Sequence, residues 1–499
     1  MTEPIRALFF VIFLSGTTYL VLAKPLTNIF SYAELVRFRN TWFLVILCAF
    51  LSPNYWIFSF VLFFIFFFYC HKQPDNRVIY YLFLLSILPI LTIEIPGFAG
   101  IRHLLEINYP RILIFAFLIP LLFQSKIPLS VNLKLFRLSS DKYVVSYVLL
   151  CTILSFRDNT FTNALRDCLL LFLDIFIPYY TLSRYLNSTE QLNRAFSVMF
   201  LTITSLALIG IFESAKHWLL YNAMTSNLTI LPDIGRYDTR SGILRASAIF
   251  SGPIILGYAL IIGFGLLLYL RPLLKWHKIF FIIGIIIVCG LLATVSRGPW
   301  VGFAVFIGIY LWTGRERIKY VLLSSILLLL GSSLLILTPA FDKFIQLLPF
   351  IGTVRTDTIS YRERLFESAW IVIQRHPFFG STNYYESPEM ESMRQGQGII
   401  DIVNSYLQIA LSKGFVGLAL FLLIFLGLMF HTYKMIKILP PNEESLINMG
   451  RILFSILAAI LVTISTVSSI DYIPYYYWTF SGITAAYIYV AKQTISKSS

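Results

Sequence analysis

The sequence predicts an all-α polytopic membrane protein of about 13–15 transmembrane helices with one large arginine-rich extracytoplasmic loop. Three observations lead there. The chain of 499 residues is 58% hydrophobic and only 13% charged, whereas soluble globular domains carry roughly 25% charged residues. Apolar runs of about 15–20 residues recur along it, close to the length a helix needs to cross a bilayer. The runs are continuous, which does not suit a β-barrel, whose strands alternate apolar and polar positions.

The net charge of +14 does not point to nucleic acid. The basic residues sit in short loops between the apolar runs, the usual bias of a membrane protein facing anionic lipid. Cys48, Cys70, Cys151, Cys168 and Cys289 lie in or at the ends of apolar runs and form no CxxC pair. They read as small packing residues, so neither a disulfide nor a zinc site is expected. No metal or other cofactor enters this reading.

Taken in order, spans are expected at 6–23, 41–52, 55–70, 78–92, 110–124, 143–156, 165–183, 194–213, 252–270, 278–295, 298–313, 319–338, 412–431, 449–468 and 474–491. The first reads as a helix rather than a cleaved signal, because more spans follow it. The second is short and meets the third at Ser52-Pro53-Asn54, which suits either two crossings or one re-entrant hairpin. These spans divide the chain into N-terminal helices (1–240), core helices with a turn arginine (241–337), an extracytoplasmic loop domain (338–411) and C-terminal helices (412–499).

Loops 24–40, 71–77, 125–142, 184–194, 271–278, 314–320, 432–448 and 491–499 hold most of the lysines and are placed in the cytoplasm. The opposite side keeps only Lys216, Lys343 and Lys413, yet it is well supplied with arginine. Topology does not require outer arginines. A site for planar, bidentate phosphate recognition does. The bland alternative is pairing with outer acids such as Asp238, Glu363 or Glu367.

Candidate residues fall in four places. Arg297 lies in the tight turn Ser296-Arg297-Gly298-Pro299 between two spans, where a charge needs a partner or a watery cavity. Arg245 precedes a span in Leu244-Arg245-Ala246-Ser247, at the depth of Arg297, so the two suit a diphosphate clamp. Residues 361–374 form an amphipathic helix, with Tyr361, Leu365, Phe366, Ala369, Trp370 and Ile373 on one stripe. Arg362 and Arg364 lie on it, and Arg375-His376-Pro377 ends it. His376 reads equally as a helix-end partner or a base. Finally, Asp401, Asn404 and Ser405 sit at i, i+3 and i+4 and so share one helical face, offering a base and an amide; polar residues on a wet face are the alternative. Asp174, mid-span, is either a proton or ion relay, as in a transporter, or a packing partner.

In order and spacing, these pieces resemble the O-antigen ligase and O-antigen polymerase superfamily of bacterial polysaccharide assembly, most strongly over 240–430. Ser296-Arg297-Gly298 looks like that family's turn arginine. Arg362 through His376-Pro377-Phe378-Phe379-Gly380 is similar to its Arg…Trp…His-Pro-x-x-Gly stretch. Val403-Asn404-Ser405-Tyr406-Leu407 with Gly414-Phe415-Val416-Gly417-Leu418 looks like its His-Asn-x-Tyr-Leu…Gly-Leu-x-Gly-Leu run. The resemblance implies a multi-pass protein of the bacterial inner membrane and a metal-independent, inverting glycosyltransferase. Glycan would pass from a polyisoprenyl diphosphate to an acceptor glycan at the periplasmic face, within a polysaccharide-assembly complex. The chain has Val403 where family ligases carry the histidine thought to be the base. That departure narrowly favours a polymerase over a ligase; Asp401, Glu363, Glu367 or His376 would have to serve as the base, unless none is needed, and Asp401 is the candidate taken.

Overall fold

The computed structural model describes residues 2–71, 76–89, 91–97, 103–123, 134–157, 159–228, 237–240, 242–274, 277–314, 356–395 and 398–498. The span expected at 319–338, and with it the first part of the expected loop domain up to residue 355, lies outside them. Helix dominates, and strand is confined among the described residues to two small antiparallel pairs. Five described helices are long and apolar enough to cross a membrane: Glu3–Leu26, Thr189–Lys216, Pro253–Leu274, Ser405–Ile438 and Glu444–Ile464. Shorter apolar helices, including Tyr109–Leu122 and Lys278–Ala293, pack among them. The protein is an all-α polytopic membrane protein.

Two expected spans take a different form. The second is not short: Tyr32–Leu51 is a helix of 20 residues. Ser31 starts it early by accepting the Glu34 backbone N–H while the Glu34 carboxylate accepts from Ser31. That reciprocal cap outweighs the charges of the first turns. The fourth ends at Leu85, before Pro89. The chain then forms an unanticipated hairpin, Ile93–Pro96 against His103–Ile107, with Glu94 opposite Glu106.

Thr189–Lys216 is the central helix, buried by Glu3–Leu26, Pro253–Leu274 and His277–Ala293. Pro253–Leu274 in turn packs on Arg297–Trp312 and Glu444–Ile464, and Ser405–Ile438 on Ser139–Ser155 and Tyr472–Ser498. Among the described residues, two π turns interrupt helices, at Ile114–Leu118 and Phe172–Phe176. Each ends two residues before a proline, Pro120 or Pro178, whose missing N–H breaks the regular ladder.

A second, smaller core sits at one end of the bundle. Leu365, Ala369, Val372 and Ile373 of helix Thr356–Arg375 pack there with Tyr384, Met390, Ile402 and Leu411. The expected stripe is therefore narrower than the sequence suggested. Phe366 and Trp370 stay 54% and 41% exposed, because the cover supplied by 384–411 reaches only the aliphatic centre of the face.

Candidate functional site

The loops joining the helices at that end converge on a seven-residue connection, 465–471, between Glu444–Ile464 and Tyr472–Ser498. Arg297 is the first residue of helix Arg297–Trp312, with Ser296 as N-cap and Val295 in the left-handed region at φ 45°. The left-handed residue turns the chain sharply, so Arg297 is half-buried at the helix start. Gly298 explains the closeness of the next layer: a Cβ there would meet Thr466 Oγ1 at 2.3 Å. Only hydrogen fits, so the arginine turn and the 465–471 loop touch.

Arg245 lies over the same turn. Its Nε donates to the Thr294 carbonyl at 3.3 Å and its Nη2 to Ser296 Oγ at 2.9 Å, while Nη1 pairs with Asp238. The neighbouring Ala246 N–H donates to the Ala293 carbonyl at 3.0 Å. Glu213 holds this loop from below, accepting N–H groups of Leu220, Ser247 and Ala248. The two arginines singled out in the sequence are thus brought to one turn, with Arg245 bound to the residue preceding Arg297.

The loop helix reaches the same connection. Arg362 Nη2 donates to the Thr466 carbonyl at 3.2 Å, and Tyr361 OH donates to the Asp401 carbonyl at 3.0 Å. Arg362 is exposed as a residue; partial burial of its guanidinium lowers its pKa, and the charge of Asp401 works against that. Arg364, on the same helix, is exposed.

The segment holding Asp401 corrects the helical-face expectation. Residues 401–404 are not helical; the helix begins at Ser405 with Asn404 as its N-cap. The Asn404 side-chain oxygen accepts the N–H groups of Tyr406 and Leu407 at 2.9 and 3.2 Å. This is what an N-cap asparagine does with the first orphan donors of a helix. Its amide NH2 is what remains to offer a ligand. Asp401 is placed from the other side, with Oδ1 accepting Ser468 Oγ at 2.9 Å. Ser405 Oγ donates to the Val467 carbonyl at 2.8 Å, and Ser469 N–H donates to Gln408.

Gly414 breaks this helix, at φ 66°. A Cβ there would lie 2.3 Å from the Phe378 carbonyl, so the 377–380 turn seats directly on the break. Arg375 and His376, at the far end of the loop helix, are both exposed. Arg375 pairs with Glu389 and Arg394 with Glu391, both within the loop. Several arginines at this end therefore do have acidic partners, as the bland reading supposed: Arg245 has Asp238, one of the acids named, whereas Glu389 and Glu391 were not.

Sequence reasoning missed the 465–471 loop itself. Asp471, also left-handed at φ 51°, receives a hydrogen bond from Ser251, which ties it to the Arg245 segment. Burial raises the pKa of its carboxyl, and the Ser251 hydrogen bond opposes that rise. The available signal was the polar break Ser465-Thr466-Val467-Ser468-Ser469-Ile470-Asp471 between two apolar runs. Asp174 takes the packing-partner role left open above: Arg111 Nη2 lies 2.7 Å from its Oδ2, and Tyr475 OH donates to its Oδ1 at 3.0 Å. Elsewhere, the side-chain donors of Glu94, His103 and Glu106 lie within 4.8 Å of one another. Arg111 stands 3.9 Å from Glu106.

The fold and this end of the bundle define a helical membrane protein that gathers guanidinium groups, a carboxylate and an amide under a small capping unit. Residues 282–422 match the family model described as O-Antigen ligase. That segment, well under half of the chain, contains Arg297, Arg362, Arg364, Arg375, His376, Asp401 and Asn404. It leaves out Arg245 and the 465–471 loop. No curated protein matches the chain. The match agrees with the ligase and polymerase resemblance and supports a membrane enzyme of glycosyl transfer, acting on lipid-linked and acceptor glycans.

Proposed function

We propose that the protein is a polysaccharide polymerase of the bacterial inner membrane. It would extend a glycan at the periplasmic face from a polyisoprenyl-diphosphate donor. The observation that carries this reading is the convergence of Arg245, Arg297 and Arg362 with Asp401 and Asn404 around one loop, largely inside the family-matched segment. An acceptor hydroxyl oxygen attacks the anomeric carbon, and the bond from that carbon to the diphosphate oxygen breaks. The bonding pair leaves with the polyprenyl diphosphate, and the hydroxyl proton passes to Asp401. A single displacement of this kind inverts the anomeric centre.

Arg245 and Arg297 would hold the departing diphosphate, and Arg362 or Arg364 would cover it from the loop helix. Cations fixed in place before reaction stabilise developing negative charge without reorganising. No metal is needed in this scheme. Asn404, whose side-chain oxygen caps the helix, would orient the acceptor through its NH2. Arg375 and His376 would meet the glycan farther from the diphosphate. A ligase acting on a lipid A core acceptor is the second reading; Val403 in place of the family histidine favours the polymerase.

The test is reconstitution in nanodiscs with a polyprenyl-diphosphate oligosaccharide, without nucleotide or metal. A ladder of longer lipid-linked glycans with released polyprenyl diphosphate is expected. Transfer only to a different acceptor would replace the polymerase with a ligase. No transfer, with donor translocated between leaflets instead, would replace both with a transporter.

A further inference from the structure

Five aromatic side chains at the edge of the capping unit are exposed although the unit has a core of its own. Phe366, Trp370, Phe378, Phe379 and Phe415 are 54%, 41%, 67%, 49% and 41% exposed. They form one surface. Phe366 stacks on Trp370 with ring centroids 6.1 Å apart, and Trp370 meets Phe415 edge-on at 6.2 Å. The Phe378–Phe379 turn is held against the top of the Ser405–Ile438 helix. There the Phe415 N–H donates to the Pro377 carbonyl at 2.7 Å and the Val416 N–H to the Phe378 carbonyl at 3.2 Å.

What covers this surface follows from what it continues. Phe415 begins the bilayer-crossing part of its helix, and the exposed positions below it are Ala419, Leu423, Leu426 and Phe430. Their spacing of three to four residues marks one helical face, the face an outermost spanning helix turns to acyl chains. The aromatic patch is the upward extension of that face. Two cations flank it: Lys413, at the break in the helix, and Arg157, whose Nη1 donates to the Phe379 carbonyl at 3.2 Å. Aromatic rings beside basic side chains at the end of a lipid-facing stripe are the composition of a membrane interface.

We propose that this patch is seated in the adjoining lipid leaflet, so that the capping unit rests on the membrane as well as on the bundle and its height above the arginine turn is set by both. This inference does not depend on the reaction proposed above. It is tested on the full-length chain in nanodiscs of phosphatidylcholine and phosphatidylglycerol. The native cysteines are replaced, and a fluorophore is attached at Trp370→Cys, Phe378→Cys or, as an aqueous control, Glu391→Cys.

At positions 370 and 378, lipids carrying a nitroxide near the headgroup should quench at least twofold more strongly than dissolved iodide, with the reverse at 391. Iodide reaching all three positions equally would overturn the proposal. So would shielding from both quenchers in a particle holding two copies, which would assign the surface to self-association. Photolabelling of the unsubstituted chain by a headgroup-region diazirine lipid guards against misfolded variants. Label should map to 366–379, and its absence there would also overturn the proposal.

Discussion

Arg184, at one end of the bundle, and Arg362 and Arg245, at the other, are held in different ways. At the end away from the capping unit, Arg184 is fully buried and bound to Asp141, with Nη2 2.6 Å from Oδ2 and Nη1 3.2 Å from Oδ1. Tyr179 donates to the same carboxylate at 2.6 Å. At the site end, Arg362 rests on a backbone carbonyl, and Arg245 divides its donors among a carbonyl, a hydroxyl and a half-exposed carboxylate. A carbonyl orients a guanidinium without cancelling its charge. The first arrangement is closed around one buried carboxylate, whereas the second positions guanidinium groups by neutral acceptors as well as by a half-exposed carboxylate.

That contrast can be broken first at Asp141. Asp141→Ala strands a buried guanidinium and should cost about 3–5 kcal/mol of stability, read as a large fall in melting temperature in detergent. Turnover per folded molecule should be unchanged; a stable variant would remove the contrast. Arg297→Ala should do the reverse. Loss of one fixed charge-stabilising group lowers kcat by roughly 10²–10³-fold, so polymer should disappear while membrane insertion and melting stay as in the parent. A fully active variant would end the assignment of this turn to the site.

A smaller effect is expected where the arginine turn meets the 465–471 loop. Gly298→Ala places a Cβ 2.3 Å from Thr466 Oγ1, and overpacking of this kind costs about 1–3 kcal/mol. Combining it with Thr466→Ala should recover part of the loss, and a double-mutant cycle measures how much. Additive losses would mean that the turn and loop are not in contact. The smallest effect concerns pH. Burial raises the folded-state pKa of Asp471 above its unfolded value of about 3.9. Between the two values the folded state binds more protons than the unfolded state, so stability falls as pH rises through that window. Asp471→Asn should flatten this slope in melting temperatures taken from pH ~4 upward; an unchanged slope would place its source elsewhere.

Most of the helices were legible because each apolar run is long enough to identify itself. Tyr32–Leu51 was not, since a local cap at Ser31 extended it through charged residues. The hairpin after Leu85 was hidden because short apolar strands look like the tail of a helix. In the site, Arg297 stood out by its turn and Arg245 by its depth. Asn404 was recognised as a polar residue but not as an N-cap, because its role depends on where the helix starts.

Composition and pattern alone determined that this chain builds a helical membrane protein from long apolar runs. Such runs are a property of residue type and spacing along a single strand of chain. Only the tertiary structure decided which arginines are spent on carboxylates and which meet around 465–471. Glu389, Thr466 and Ser468 reach Arg375, Arg362 and Asp401 through folding, from 14, 104 and 67 residues away, and no local pattern encodes a contact made across such distances.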